Sequence, residues 1–121
     1  MSLEWIRARC MALPHVTEQV QWESLVFKVG GKMFALAPVE PGKFCLSLKV
    51  EPKEFDELVE TPGIAQAPYA AKRMWFAMES LSALPKAEVE RRIRESYDLV
   101  FAKLTKKAQA ELSRAVKGKK K

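Results

Sequence analysis

Residues 24–37 constrain this chain more than any other stretch. Ser24–Val29 alternates: Leu25, Phe27 and Val29 point one way, and Ser24, Val26 and Lys28 the other. That is the period of a half-buried strand. Gly30-Gly31 follows, and two adjacent residues without a Cβ can both take the positive φ of a two-residue hairpin turn. Residues 33–37 return as the partner strand. An antiparallel hairpin is therefore written into the chain, and the remaining elements must cover one of its faces.

The flanking sequence supplies that cover. Ser2 is suited to N-cap a first helix with Leu3, Ile6, Cys10 and Leu13 along one stripe, closed by Pro14. Residues 15–23 read as a linker, with His15 capping the helix end or facing solvent, and residues 38–43, which include Pro41 and Gly42, as a turn. Residues 44–50 are the cleanest strand, Phe44, Leu46, Leu48 and Val50 alternating with Cys45, Ser47 and Lys49. Pro52 opens a short helix with Phe55, Leu58 and Val59 inward, stopped by Thr61-Pro62-Gly63. Residues 62–71 read as an ordered loop. A strand over 73–79 then opposes Met74, Phe76 and Met78 to Trp75 and Ala77. Pro85 starts the longest helix, whose stripe is Val89, Ile93, Tyr97, Val100, Phe101 and Leu104. A weaker helical stretch carries Ala108, Leu112, Ala115 and Val116. This order predicts an α+β fold, a small antiparallel β-sheet with helices packed against it. Residues 1–104 form one domain and 105–121 a basic helical extension with a lysine tail.

The net charge of +6 over 121 residues invites a nucleic-acid reading, but its distribution is uneven. Residues 103–121 hold eight basic side chains and one acid, so the other 102 residues carry a net −1. Such a tail contacts phosphates without sequence preference or serves as a solubilising end. No apolar run approaches the ~20 residues that span a bilayer, and Glu4, Arg7 and Arg9 interrupt any signal-like N-terminus. The expectation is a cytoplasmic monomer with no membrane partner. Cys10 and Cys45, without CxxC spacing, are expected to be free and small core residues.

Chemistry-bearing patterns are few. His15 is the sole histidine, which excludes a multi-histidine metal site. There is no GxGxxG, GxSxG or HExxH, and Gly31-Lys32 lies between strands rather than before a helix. Glu54, Asp56, Glu57 and Glu60, and Glu88, Glu90 and Glu95 interleaved with Arg91, Arg92 and Arg94, read as solvated helix faces. No enzyme activity, cofactor or metal is expected. Two stretches stand out from plain scaffold: the hairpin tip flanked by Lys28 and Lys32, and residues 67–75, where Lys72 and Arg73 lie between Tyr69 and Trp75. If Trp75 and Lys49 project from the wetter face of the sheet, they form a cation–aromatic surface for phosphate and base contacts. Otherwise Trp75 packs under a helix.

These stretches also carry a resemblance. Leu13-Pro14 followed by Trp22, the run from Leu25 through Gly30-Gly31 to Ala35, Leu46-Ser-Leu-Lys49, Pro62-Gly-Ile64, Ala67-Pro-Tyr69, Lys72-Arg-x-Trp75 and Ser96-Tyr97 resemble the MmcQ/YjbR family in the family's order. The resemblance implies an α+β fold with a CyaY/frataxin-like outline. It also implies DNA binding through a double wing of β-hairpins. By position, Lys28 and Lys32 around Gly30-Gly31 would form the first wing, and Lys49, Lys72, Arg73 and Trp75 the second region. The chain departs from the family pattern at Met74, where members commonly carry histidine. The leading expectation is a non-enzymatic protein that contacts the DNA phosphate backbone weakly, in a salt-dependent way. The alternative is a protein-interaction or chaperone-like module using the exposed sheet face, and a more remote one is a small-molecule or metal binder in the frataxin manner.

Overall fold

The computed structural model describes residues 3–40, 42–68 and 70–119, with side chains as far as residue 112. Ser2, Pro41 and Tyr69 and the side chains of the lysine tail, named above, lie outside the described residues. The elements run α1 (Leu3–Met11), β1 (Val16–Gln21), β2 (Ser24–Val29), β3 (Lys32–Pro38), β4 (Leu46–Lys49), α2 (Pro52–Leu58), β5 (Ile64–Gln66), β6 (Trp75–Met78), a 3-10 turn (Leu81–Ala83), α3 (Lys86–Ala102) and α4 (Lys106–Lys119). The six strands form one sheet in the order β1-β2-β3-β4-β6-β5, every neighbouring pair antiparallel. The fold is α+β.

The helices pack on one face. Phe27, Val29, Ala35, Ala37, Leu46, Leu48, Phe76 and Met78 meet Ile6 and Cys10 of α1, Phe55 and Leu58 of α2 and Val89, Ile93, Tyr97 and Val100 of α3. Each buried apolar side chain of this size contributes roughly 1.5–3 kcal/mol. Gly30 and Gly31 take φ of 60° and 81°, as the tight turn requires. Beyond that turn Phe27 pairs with Ala35 and Lys28 with Met33, which leaves Phe34 as the extra residue of a β-bulge. The Phe34 ring turns into the core, edge-on to Tyr97 at 5.5 Å, and its carbonyl accepts from the Ser96 hydroxyl of α3. The same hydroxyl accepts from the Lys49 amide, so one side chain holds the start of β3 beside the end of β4. Tyr97 donates to the Pro14 carbonyl at 2.8 Å and fixes the exit of α1.

Four expectations are corrected. Residues 15–23 are not a linker: 16–21 form the edge strand β1, joined to β2 by Trp22 and Glu23 at φ of 50° and 59°. No glycine or asparagine marks that turn, and β1 has polar residues on both faces, Glu18 on one and Thr17, Gln19 and Gln21 on the other. The loop over 62–71 contains β5, three residues long and hydrogen-bonded to β6. The strands expected over 44–50 and 73–79 shrink to Leu46–Lys49 and Trp75–Met78. Phe44 leaves the alternation and turns from the core, while Cys45 packs against it. Arg92, read as part of a solvated face, is 8% exposed and bonded to Glu54 at 2.8 Å, Glu95 at 3.0 Å and Glu88 at 3.2 Å, tying α2 to α3.

Candidate functional site

The face of the sheet turned away from the helices carries the site. Cross-strand register aligns Gln19, Val26, Leu36, Ser47, Ala77 and Ala65 in a single row across all six strands. At its centre, over Leu36 and Ser47, a groove of about 690 Å³ opens, within the range of ligand sites. Trp22, Trp75, Phe44, Met33 and Leu36 supply its apolar lining, Ser24 and Ser47 its hydroxyls and Lys43 its one charged side chain. Among the described residues no helix contributes to the lining.

Trp75 does not pack under a helix; it is half-buried in the groove lining, directly opposite Lys49 in the β4–β6 register. Lys49 is two residues from Ser47 and so lies on the groove side of β4, at its last position. Burial, and secondly the nearby Lys103 ammonium at the end of α3, hold Lys49 below the usual lysine range. Lys28 lies on the same face of β2 and donates to the Gln19 side chain at 3.1 Å. Lys32 is exposed at the start of β3, and Lys72 is exposed three residues before Trp75. The Ser96 clamp and the Lys49–Trp75 pairing thus set Lys49 and Trp75 at the same end of the sheet as Lys28 and Lys32 of the hairpin, with Lys72 exposed in the segment leading into β6.

Arg73 is different. Its guanidinium pairs with Asp56 of α2 at 2.8 Å, and its amide, at a φ of 62°, is held by the Gln66 side chain. It anchors the segment before β6. The same division runs through the molecule: every ion pair among the described residues is made by an arginine, from Arg7, Arg9, Arg73, Arg91 or Arg92. No lysine there pairs with a carboxylate.

Three lining residues escaped sequence reasoning. Trp22 was assigned to a linker, yet it is 74% exposed at a left-handed turn position. Lys43 was assigned to a turn, yet its ammonium sits 5.5 Å from the centre of the Phe44 ring. Phe44 was assigned to the core face. An exposed tryptophan beside an apolar strand was the available signal; the other two depend on the chain twisting before β4. No group of three or more His, Cys, Asp or Glu among the described residues is placed to hold a metal ion. No helix among them is long and apolar enough to cross a membrane.

This open-faced sheet backed by helices defines the class of α+β domain, and the comparisons define its family. The YjbR family model matches residues 11–99, and the chain belongs to that family. The crystal structure of the Deinococcus radiodurans protein DR2400, which carries domain DUF419, superposes with a TM-score of 0.84 at 32% identity, over 93% of this chain and 88% of that one. A Pseudomonas syringae protein solved as structural-genomics target PsR293 shares the fold, with a TM-score of 0.70 at 22% identity over 83% of this chain and 99% of its own. No curated protein matches the sequence.

Proposed function

We propose that this protein binds DNA without catalysing a reaction, through the hairpin-tip end of its sheet and the basic tail. The observation that carries the reading is the division of cations: Arg7, Arg9, Arg73, Arg91 and Arg92 are spent on carboxylates, while Lys28, Lys32 and Lys49 at one end of the sheet, and Lys72 in the segment before β6, have no acidic partner. Lysines held this way, with Lys103 close enough to depress Lys49, make a local excess of positive charge that a phosphate relieves. Base readout is not part of this mode, because among the described residues no helix has an Arg/Asn/Gln-rich face left over from ion pairing to enter a major groove.

The test is fluorescence anisotropy of a labelled duplex at two salt concentrations. About four phosphate contacts give a slope near −3.6, a ~150-fold loss from 50 to 200 mM salt. Lys32→Ala should lower the slope by about 0.9. Replacing Lys117, Lys119, Lys120 and Lys121 by glutamine separates the tail from the sheet. Binding that ignores salt, or that survives in full without Lys32 and Lys49, refutes the reading.

A second reading, a protein-interaction module on the open face, is favoured by one observation: Val20, Trp22 and Val39 are exposed at 68%, 74% and 46% near the Trp22 end of an apolar groove. Binding of a protein segment that Trp22→Asn abolishes, in a protein indifferent to nucleic acid, would establish it.

A further inference from the structure

Contacts to phosphate alone leave the groove unexplained. A duplex keeps its bases stacked inside, and lysines at a strand end need no apolar trough beside them. Here the trough is lined by two indoles and a phenyl ring, with the half-buried Ser47 hydroxyl facing it, the Ser24 hydroxyl donating to the Trp22 carbonyl, and no carboxylate in the lining to repel phosphates. Trp22 adds a further mark. A non-glycine residue at a φ of 50° costs roughly 1–2 kcal/mol, and glycine or asparagine would fill that turn more easily. The two-residue turn imposes the same left-handed backbone on Glu23, so what marks Trp22 is that this costly turn sets a 74% exposed indole on a cavity wall, where it can meet a ligand.

We propose that the ligand is single-stranded nucleic acid, its bases entering the groove between Trp22 and Trp75 and its phosphates lying along Lys28, Lys43 and Lys49. The inference rests on the nucleic-acid reading above and narrows it. Unpaired bases present flat π-faces to indole and polar edges to hydroxyls, and a strand bound through stacked aromatics with flanking cations needs no particular sequence. Six strands at about 4.8 Å spacing make a face roughly 24 Å wide, enough for several nucleotides running across the strands. Lys43, already beside the Phe44 ring, places a cation at the groove wall where a phosphate follows a stacked base. The charge separates this occupant from an apolar peptide: lysines with no carboxylate partner border the trough, and they complement a polyanion.

The experiment titrates the full chain with a labelled mixed-sequence single strand, with the same sequence as a duplex and with Trp22→Asn and Trp75→Leu variants, while NMR follows the indole N–H peaks of the unaltered protein. The single strand should bind more tightly than the duplex. Each variant should weaken single-strand binding by about 5- to 150-fold, the measured range for one stacking contact. The indole peaks of Trp22 and Trp75 should shift with the single strand and that of Trp5 should not. The peaks report on the native protein even if a variant misfolds. Equal or tighter duplex binding with unmoved indoles overturns this inference and leaves the backbone reading standing. Binding of neither nucleic acid overturns both, and a peptide that shifts those two indoles instead would then identify the groove as a protein-docking site.

Discussion

Replacing Ser96 by alanine tests the clamp that assembles the hairpin-tip end of the sheet. The Ser96 side chain is fully buried; it donates to the Phe34 carbonyl at 2.5 Å and accepts from the Lys49 amide at 2.8 Å. Alanine deletes both bonds and leaves a carbonyl and an N–H without partners where water does not reach. A buried group orphaned this way costs about 1–3 kcal/mol, so the pair should cost about 2–6 kcal/mol. Against a typical stability of 5–15 kcal/mol that is a large fraction. At about 4 °C per kcal/mol for a chain of this size, Tm should fall by roughly 8–24 °C. Urea unfolding gives the free energy, and hydrogen exchange should show the Lys49 amide losing protection before its neighbours in β4. Ser80→Ala is the control: that hydroxyl caps an exposed 3-10 turn, and its loss should cost about 1 kcal/mol or less. A Ser96→Ala protein within 0.5 kcal/mol of the parent by the same measurement, or one whose Lys49 amide stays protected, would refute the reasoning.

Gly30→Ala should destabilise more than Gly31→Ala. Both sites have positive φ, but a Cβ at Gly30 would sit 2.6 Å from Leu104 Cδ1, whereas nothing lies within 4 Å at Gly31. We expect about 1–2 kcal/mol at Gly31 and about 1 kcal/mol more at Gly30, with Leu104→Ala in the same chain removing the difference in urea melts. Cys45, half-buried, should react with a thiol reagent in the native protein well before Cys10, whose thiol burial pushes up to about 12; simultaneous labelling would contradict the packing of α1. Acid should weaken the fold through Glu88 and Glu18, held below the carboxylate range chiefly by hydrogen bonds from Arg91 and Arg7. A carboxyl with a lowered folded value binds fewer protons folded than unfolded, so its stabilisation is present above about pH 4.3 and is lost as pH falls through the folded value. Urea midpoints should be flat from pH 5 to 7 and fall below about pH 4, less steeply in Arg91→Gln.

What could be determined from sequence alone was whatever depends on neighbours a few residues apart. Period-2 alternation placed β2, β4 and β6, because a pleated strand sends successive side chains to opposite sides, whereas the Phe34 bulge in β3 and the turn of Phe44 away from the core break that period and were not legible. Pro52 and Pro85, with apolar residues at helical spacing after them, marked α2 and α3 through local sterics and one buried stripe. The Gly30-Gly31 turn was legible because only glycine takes its φ values cheaply. Tertiary structure decided the rest. The edge strands β1 and β5 exist because a neighbouring strand offers them hydrogen bonds, and neither VTEQVQ nor IAQ carries a strand signal strong enough alone. Arg92 is buried because α2 brings Glu54 to it from 38 residues away. Arg73 is spent on Asp56 for the same reason, and sequence could not separate it from Lys72 beside it. The groove, finally, is a property of the paired strands and the loops beside them: Leu36, Ser47 and Trp75 become its floor and wall only when pairing sets β3, β4 and β6 side by side and brings Trp22, Phe44 and Ala67 around them. Chain distance says nothing about which residues a sheet will make neighbours.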